Sequence, residues 1–251
     1  MSRVVAVHSF RGGTGKSNTT ANVAVMAARR GLRVGVVDTD IQSPGIHVLF
    51  GIDQATIGRT LNDHLWGRCA ITEAAVDVTA GLDPTLEGRV FLVPSSIDAG
   101  DIARVMHDGY DVALLHEGIR TLVDELRLDL LLLDTHPGLN EETLLSIAVS
   151  DTVVVVLRPD QQDYEGTSVT VSVARRLQVP HMLLVVNKTP AVFDHADVEE
   201  RVRAAYDCEV AAVLPHSDDL MAYSSQGVFS LSRPDHPVAA MYDALAARIV
   251  G

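Results

Sequence analysis

Short apolar runs recur along the chain, and they are separated by longer stretches in which apolar residues return at helical spacing. Short aliphatic runs of this kind are typical of strands buried on both faces of a parallel sheet. Their alternation with helical stretches favours repeated βαβ units. We therefore predict an α/β fold with a mostly parallel central sheet flanked by helices. The predicted strands span residues 4–7, 34–37, 90–93, 130–133, 153–157 and 182–186.

The helical stretches end at residues that commonly terminate helices. The first, residues 17–30, is followed by Gly31, a residue that often stands just after a helix C-terminus. Residues 42–88 are less regular and contain several turn signals, so we predict loops with short helices there. No repeat, low-complexity tract or linker divides the sequence, and we expect one domain over residues 1–251. The other predicted helices span residues 98–107, 111–127, 141–149, 164–177, 195–206, 217–226 and 236–249.

Composition and charge narrow the class of protein. Hydrophobic residues make up 47% and charged residues 21%, which are ordinary globular values and give no indication of disorder. The apolar runs are much shorter than the roughly 20 residues of a membrane span. The N-terminal residues lack the features of a secretory signal, so we expect a cytoplasmic protein without an integral membrane segment. The net charge of −13 repels nucleic acid at long range, so any DNA contact requires a local basic patch.

A glycine-rich loop, GGTGKS at residues 12–17, lies between the first predicted strand and the first predicted helix. Its glycines let backbone N–H groups curl around phosphate oxygens, and the helix N-terminus adds its dipole. Lys16 is long enough to reach the β- and γ-phosphates, and the Ser17 hydroxyl is a ligand for Mg²⁺. Lys16 and Lys188 are the only lysines among 20 basic residues, which favours a chemical requirement for lysine in this loop. The predicted nucleotide-binding residues are Gly12, Gly13, Thr14, Gly15, Lys16, Ser17 and Asn18.

Phe10 and Arg11 precede this loop, and position 10 is where the usual phosphate-binding loop has a further glycine. With Arg11 placed immediately before the glycines, the loop resembles the deviant Walker A motif of the ParA/MinD family of dimeric ATPases. The family has a signature lysine there, which reaches across the dimer to the partner's nucleotide. The resemblance therefore implies an ATP-dependent homodimer in which Arg11 acts in trans, although the planar guanidinium differs in shape from an ammonium group. The alternative is that Arg11 is only a solvated loop cation.

Two further motifs place carboxylates after predicted strands. Asp38 and Asp40 end the second strand and lie two residues apart, so they share one side if the strand continues. By resemblance to the family, Asp40 orients the attacking water and Asp38 lies near Mg²⁺. The segment LLLLDTHPG at residues 130–138 resembles a Walker B strand followed by switch II, which implies that Asp134 holds Mg²⁺ through water and that the Gly138 amide senses the γ-phosphate. The family often has proline where His136 stands, and we predict a loop residue without a catalytic role.

The segment Asn187-Lys188-Thr189-Pro190 indicates which nucleotide base the protein binds. Guanine-specific P-loop proteins carry Asn-Lys-x-Asp, but proline occupies the last position here, so adenine is favoured. Resemblance to the ParA/MinD family implies that Asn187 contacts adenine and that Pro215, after a later strand, lines the base pocket. The alternative is that both segments are ordinary turns.

Together these motifs imply a Mg-ATP-binding, slowly hydrolysing ATPase whose dimer positions a cargo, with Lys16, Asp40 and Arg11 as catalytic residues. The expected partners are a second copy and an activating or cargo protein. Arginines on late helices are a candidate contact for non-specific DNA, and the alternative is that they form a solvated helix face. The final residues do not form a basic amphipathic tail for a membrane surface. A nucleotide-dependent binding switch with little hydrolysis is the alternative function. A metal-cluster carrier is disfavoured, because Cys69 and Cys208 are isolated in sequence.

Overall fold

The computed structural model describes residues 2–53, 56–223 and 225–251. Within these ranges eight strands form one sheet, in the order β3-β4-β2-β5-β1-β6-β7-β8. Every neighbouring pair is parallel except β3 with β4, so the prediction of a mostly parallel central sheet is confirmed. The strands are β1 (Arg3–His8), β2 (Arg33–Thr39), β3 (Val76–Asp77), β4 (Arg89–Val93), β5 (Leu130–Thr135), β6 (Thr152–Leu157), β7 (His181–Thr189) and β8 (Glu209–Pro215).

Helices cover both faces of the sheet and its edges. They are α1 (Lys16–Arg29), α2 (Ile46–Leu49), α3 (Leu61–Leu65), α4 (Thr79–Leu82), α5 (Ala99–Asp108), α6 (Val112–Glu125), α7 (Glu141–Ala148), α8 (Gln161–Arg176), α9 (His195–Tyr206), α10 (Asp218–Tyr223), α11 (Phe229–Ser232) and α12 (Pro237–Val250). The predicted helix at 217–226 includes Ser224, which lies outside the described residues, as do Gln54 and Ala55 of the irregular segment 42–88.

Element boundaries differ from the prediction where side chains cap helices. Helix α8 begins at Gln161 rather than at 164, because the Asp160 carboxylate accepts a hydrogen bond from the Asp163 amide and caps the first turn. Helix α1 ends at Arg29, and Gly31 follows in the left-handed conformation with φ of +82°. Gly31 therefore follows the C-terminus of α1, as predicted from the sequence.

Alternate residues of the central strands face opposite sides of the sheet. Val5 and Val7 of β1 pack into one hydrophobic cluster with α1 and α12, whereas Ala6 between them packs into another with α8 and α9. The same alternation divides β5, whose Leu130 and Leu132 face α1 while Leu131 and Leu133 face α6. This two-sided burial explains why the strands are uninterrupted aliphatic runs. It also fixes α1 firmly against the sheet, with its N-terminus at the carboxyl ends of the strands.

A bilayer-spanning segment is not found in the parts of the chain that the structure describes, since no helix there is both long and apolar enough.

Candidate nucleotide-binding site

The glycine-rich loop runs from the end of β1 to the start of α1, beside the carboxyl ends of β5 and β6. Gly13 and Gly15 have φ of +77° and +97°, which residues with a side chain rarely adopt. Gly15 is the N-cap of α1 and has no side chain to occupy the first amides of the helix. A cavity of about 290 Å³ lies over the loop and is bordered by Asp40, Ser43 and Pro137. The shape and the free helix N-terminus suit an anion.

Lys16 is the buried cation of this cavity. Its Nζ lies 2.9 Å from Asp134 Oδ1 and 3.4 Å from Ser17 Oγ. The Thr20 hydroxyl donates to the same carboxylate oxygen at 3.0 Å. Because removing either partner of a buried ion pair leaves an uncompensated charge, the lysine and the aspartate depend on each other.

Asp38 and Asp134 are neighbours in the sheet, because the register of β2 and β5 pairs them directly. Both side chains are almost fully buried. Burial raises the pKa of Asp38 well above its usual value, and the charge of Asp134 raises it further. The two Asp38 oxygens accept from the backbone amides of Asp40 at 3.1 Å and Gly45 at 3.2 Å, so this carboxylate also holds the loop after β2.

These residues fit a magnesium ion that is bound jointly with phosphate. In residues 2–53, 56–223 and 225–251 no group of three His, Cys, Asp or Glu side chains is arranged as a metal site. Mg²⁺ in phosphate-transfer sites takes only one or two carboxylates and completes its shell with waters and phosphate oxygens. Ser17, Asp38 and Asp134 provide a hydroxyl and two carboxylates. Burial and the neighbouring Asp134 raise the pKa of Asp38, and a divalent cation beside the two carboxylates would favour their ionised form.

Asp40 is held by a residue that the sequence did not single out for function. Its Oδ1 lies 2.6 Å from Nδ1 of His136 and accepts a second hydrogen bond from the Ser43 amide at 3.1 Å. Burial raises the pKa of Asp40, and the His136 hydrogen bond opposes that rise. His136 is 96 positions away in sequence. No local pattern could have indicated this pair.

A second pocket, of about 170 Å³, adjoins the loop on the side of β7 and β8. Asn18, Asn187 and Pro215, which were predicted to contact the nucleotide, line it together. The Asn187 side-chain amide donates to the Thr14 carbonyl at 2.8 Å. The Lys188 ammonium group donates to the Gly13 carbonyl at 2.7 Å. The segment after β7 therefore supports the backbone of the phosphate-binding loop as well as lining the pocket.

Comparison with known proteins identifies the family. The model of the ParA family, described as a NUBPL iron-transfer P-loop NTPase, matches residues 1–250. The chain belongs to the ParA family. It is 28% identical over 256 residues to the iron-sulfur cluster carrier protein of Pseudomonas fragi, covering 97% of this chain and 83% of that protein. It is 25% identical over 252 residues to an ATP-binding protein of Methanocaldococcus jannaschii, covering 100% of this chain and 89% of the relative.

The fold of this ParA-family chain is also that of solved MinD structures, as the resemblance implied. The septum site-determining protein MinD of Pyrococcus horikoshii, in complex with Mg-ADP, superposes with a TM-score of 0.81 at 21% identity, covering 99% of this chain and 96% of that one. At this identity the likeness concerns the fold.

Arg11 lies apart from the other predicted catalytic residues of this ParA-family chain. Its guanidinium contacts Oε1 of Gln162 and lies 3.8 Å from Asp163 Oδ1, both on α8 of the same chain. The neighbouring Phe10 packs its ring against Gly166 in the second turn of the same helix. Lys16 and Asp40 border the phosphate cavity, whereas Arg11 does not.

Gly138, the predicted γ-phosphate sensor in the ParA-family switch, has φ of +88° and donates its amide to the Ser9 carbonyl at 3.1 Å. This hydrogen bond joins the loop after β5 to the start of the phosphate-binding loop. The two loops are therefore connected directly through their backbones.

Proposed function

We propose that this chain is a Mg-ATP-dependent ATPase of the ParA/MinD type, built as a single domain over residues 1–251, whose ATP-bound dimer positions a cargo. The observation that carries the proposal is the continuity of the two pockets. Gly15 and Asn18 line both the phosphate cavity and the pocket beside Pro215. One nucleoside triphosphate can therefore place its phosphates over the loop and its base against Pro215.

The residues around the cavity over the glycine-rich loop have different roles in the proposed hydrolysis. Lys16 and the loop amides stabilise the phosphate charge, and Ser17, Asp38 and Asp134 hold Mg²⁺, which neutralises the phosphates when bound. Asp40 orients the water. The water oxygen bonds to the γ-phosphorus while the bond from that phosphorus to the bridging oxygen breaks. ATP and water thus give ADP and inorganic phosphate, and both hydrogens of the water end on the phosphate product, which exchanges them with solvent.

The proposed base is adenine. Pro190 replaces the aspartate that guanine-specific sites use to accept from guanine, and Asn187 and Pro215 line the pocket beside the loop. A guanine base would find no carboxylate from position 190. Competition between ATP and GTP for the purified protein measures this preference directly.

The proposed partners are a second copy of the chain and an activating or cargo protein, in the cytoplasm. The arginines on late helices give little support to the proposal that the protein binds non-specific DNA. Arg175 donates to the backbone carbonyls of Tyr206 at 2.6 Å and Asp207 at 3.1 Å, so its charge is engaged within the chain. The net charge of −13 opposes DNA binding further. DNA binding at low salt, with and without ATP, tests this part of the proposal.

A turnover and binding assay tests the ATPase proposal. We expect Lys16→Ala to abolish ATP binding, and Asp40→Ala to bind ATP but lose turnover. Asp77→Ala is a matched control, because it removes an exposed carboxylate whose partners, Arg89 and the Thr79 amide, do not line the cavity. Turnover that survives in Asp40→Ala would remove the role assigned to that residue.

A nucleotide-dependent binding switch is a second candidate, and the position of Arg11 favours it. The guanidinium of Arg11 contacts Gln162 and lies near Asp163 of its own chain, so its charge is engaged within that chain. A switch predicts ATP-dependent dimerisation without phosphate release, even when the partner protein is present. Size-exclusion chromatography and phosphate release, measured on the same ATP-loaded sample, separate the two functions.

An iron-sulfur carrier function, suggested by the family description and by the Pseudomonas relative, draws no support from the thiols. Cys208 packs into the hydrophobic cluster with α8 and α9, whereas Cys69 packs against the cluster with α6. Burial raises the pKa of both thiols, which disfavours the thiolate that binds a metal. Metal analysis of the purified protein after anaerobic reconstitution with iron and sulfide tests this function.

A further inference from the structure

We propose that His136 is a positioning residue for hydrolysis, which locks the Asp40 carboxylate so that its free oxygen faces the water that attacks the γ-phosphate. This inference rests on the proposed ATPase function. The sequence motif does not predict this role for His136, and none of the residues that line the cavity has been given it.

The sheet brings the two residues together. Strands β2 and β5 are paired in parallel through Asp38 with Asp134 and Thr39 with Thr135. Asp40 and His136 are the next residue on each strand, just beyond the last paired position. Their backbones leave the sheet there, and the 2.6 Å contact between Nδ1 and Oδ1 continues the pairing through side chains.

His136 is itself anchored through its backbone. Its backbone carbonyl accepts a hydrogen bond from the Thr143 hydroxyl at 3.1 Å. Thr143 is buried in the first turn of α7, and its amide donates to the capping Asn140 side chain at 2.9 Å. The backbone of His136 is thus attached to a capped helix, which fixes the point from which its imidazole reaches Asp40.

The geometry leaves one oxygen of Asp40 available. Both hydrogen bonds that the described residues give to its side chain, from His136 Nδ1 and the Ser43 amide, end on Oδ1. Oδ2 therefore remains as the acceptor, and Asp40 borders the same cavity as Lys16. Two donors from different directions define the plane of the carboxylate, whereas the Ser43 amide alone would let it turn about its Cβ–Cγ bond.

The expected loss of kcat on removing the His136 side chain depends on how accurately the attacking water must be positioned. A displacement of about 1 Å in a reacting group costs on the order of 100-fold in rate. We expect His136→Ala to lower kcat by about 10- to 100-fold. The KM for ATP and the affinity for Mg-ATP should change by less than about twofold, because His136 is not among the residues that line the cavity over the loop, and its described hydrogen bonds go to Asp40 and Thr143.

Two further variants make the kinetic test specific. His136→Asn keeps an N–H donor close to the position of Nδ1, and we expect it to recover a clear part of the lost kcat. His107→Ala is the matched control, since His107 forms an equivalent contact to Asp108 at 2.7 Å on the exposed helix α5, and should leave kcat unchanged. Thermal unfolding of all variants gives their stability alongside the kinetics.

A measurement independent of turnover examines the hydrogen bond itself. Long-range proton–nitrogen NMR of the ¹⁵N-histidine-labelled protein identifies whether Nδ1 or Nε2 of His136 carries a proton. We expect the His136 proton on Nδ1 in the wild type. In Asp40→Ala, which removes the acceptor, we expect a shift toward Nε2.

The outcomes separate the inference from the function on which it rests. Wild-type hydrolysis with unchanged kcat in His136→Ala contradicts the inference alone. Equal losses in His136→Ala and His136→Asn, accompanied by lower stability or weaker Mg-ATP binding, also overturn it, because they assign a structural role to the ring. A wild type that binds ATP and never hydrolyses it contradicts the proposed ATPase function, and the inference falls with it.

Discussion

The ring of Phe10 occupies the space where a side chain at Gly166 would begin, so that a Cβ added to this glycine would overlap the ring. Phe10 precedes the phosphate-binding loop, and Gly166 is buried in α8. A large residue at position 10 thus depends on the smallest residue at position 166. This fit attaches the start of the loop to α8.

The fit predicts a strong coupling between the two positions. Gly166→Ala should destabilise the fold through overlap by about 1–3 kcal/mol, partly offset by up to about 1 kcal/mol from the better helix propensity of alanine. In a Phe10→Ala background the overlap is absent, and the same change should be stabilising. Urea unfolding of the four proteins of this double-mutant cycle measures the coupling. Gly81→Ala is the control, because a Cβ at this helical glycine meets nothing within 4 Å; additivity at positions 10 and 166 would refute the fit.

Asp163 is expected to stabilise the protein in a pH-dependent way. Burial alone would raise its pKa, but hydrogen bonds from Arg158, at 2.9 Å from Nε and 3.1 Å from Nη2, outweigh it and leave the pKa below its usual value. A carboxylate with a lowered folded-state pKa contributes stability above its unfolded pKa of about 3.9 and loses it as pH falls through the folded value. We expect Asp163→Asn to cost about 2 kcal/mol at neutral pH.

The difference between wild type and Asp163→Asn should shrink as pH falls below about 4, where the wild-type carboxylate also becomes neutral. Urea unfolding across pH gives this difference. The exposed Asp77→Asn serves as control, and a gap that stays constant down to pH of about 2 would show that the Asp163 charge is not what stabilises the fold.

Asn187 supports the loop and lines the pocket that we propose for the base, and the two roles predict different results. Its side-chain amide donates to the Thr14 carbonyl, so Asn187→Ala removes a buried hydrogen bond beneath the phosphates. We expect ATP affinity to fall by about tenfold, the equivalent of one such bond. If loop support dominates, GTP affinity falls by the same factor; if base contact dominates, the loss is confined to ATP. Isothermal titration calorimetry with both nucleotides decides between the roles.

Arg11 can be tested by mixing two inactive proteins. If Arg11 acts on the partner's nucleotide, Arg11→Ala and Asp40→Ala should each be inactive alone. A mixed dimer contains one complete site, formed by Asp40 of one chain and Arg11 of the other. Equal amounts should therefore restore about a quarter of the wild-type rate, since half of the dimers are mixed and each has one working site. A mixture that stays inactive would place Arg11 in a role within its own chain, as its contacts to α8 suggest.

The aliphatic runs predicted the central strands because burial on both faces leaves no polar interruption. Strand β3 escaped prediction, since two exposed residues carry no periodicity. Only the last residues of strand β8 were recognised from the sequence, because alanines at 211 and 212 weaken its hydrophobic pattern.

For the site, motifs located the loop and the three aspartates, whose spacing is local. The side chains that hold the loop and Asp40 in place lie far from them in sequence. His136 on Asp40 and Lys188 on Gly13 exist only because parallel strands bring their carboxyl ends to one edge.

The two lysines of the chain, Lys16 and Lys188, both contact the phosphate-binding loop or its aspartate. Apart from the amino terminus, every primary amine of the protein therefore belongs to one small region. Lys16 is buried and Lys188 partly exposed. An amine-selective reagent would thus modify the folded protein first at Lys188, and protection of that amine by a bound nucleotide would give a direct optical or mass-spectrometric record of site occupancy without any engineered label.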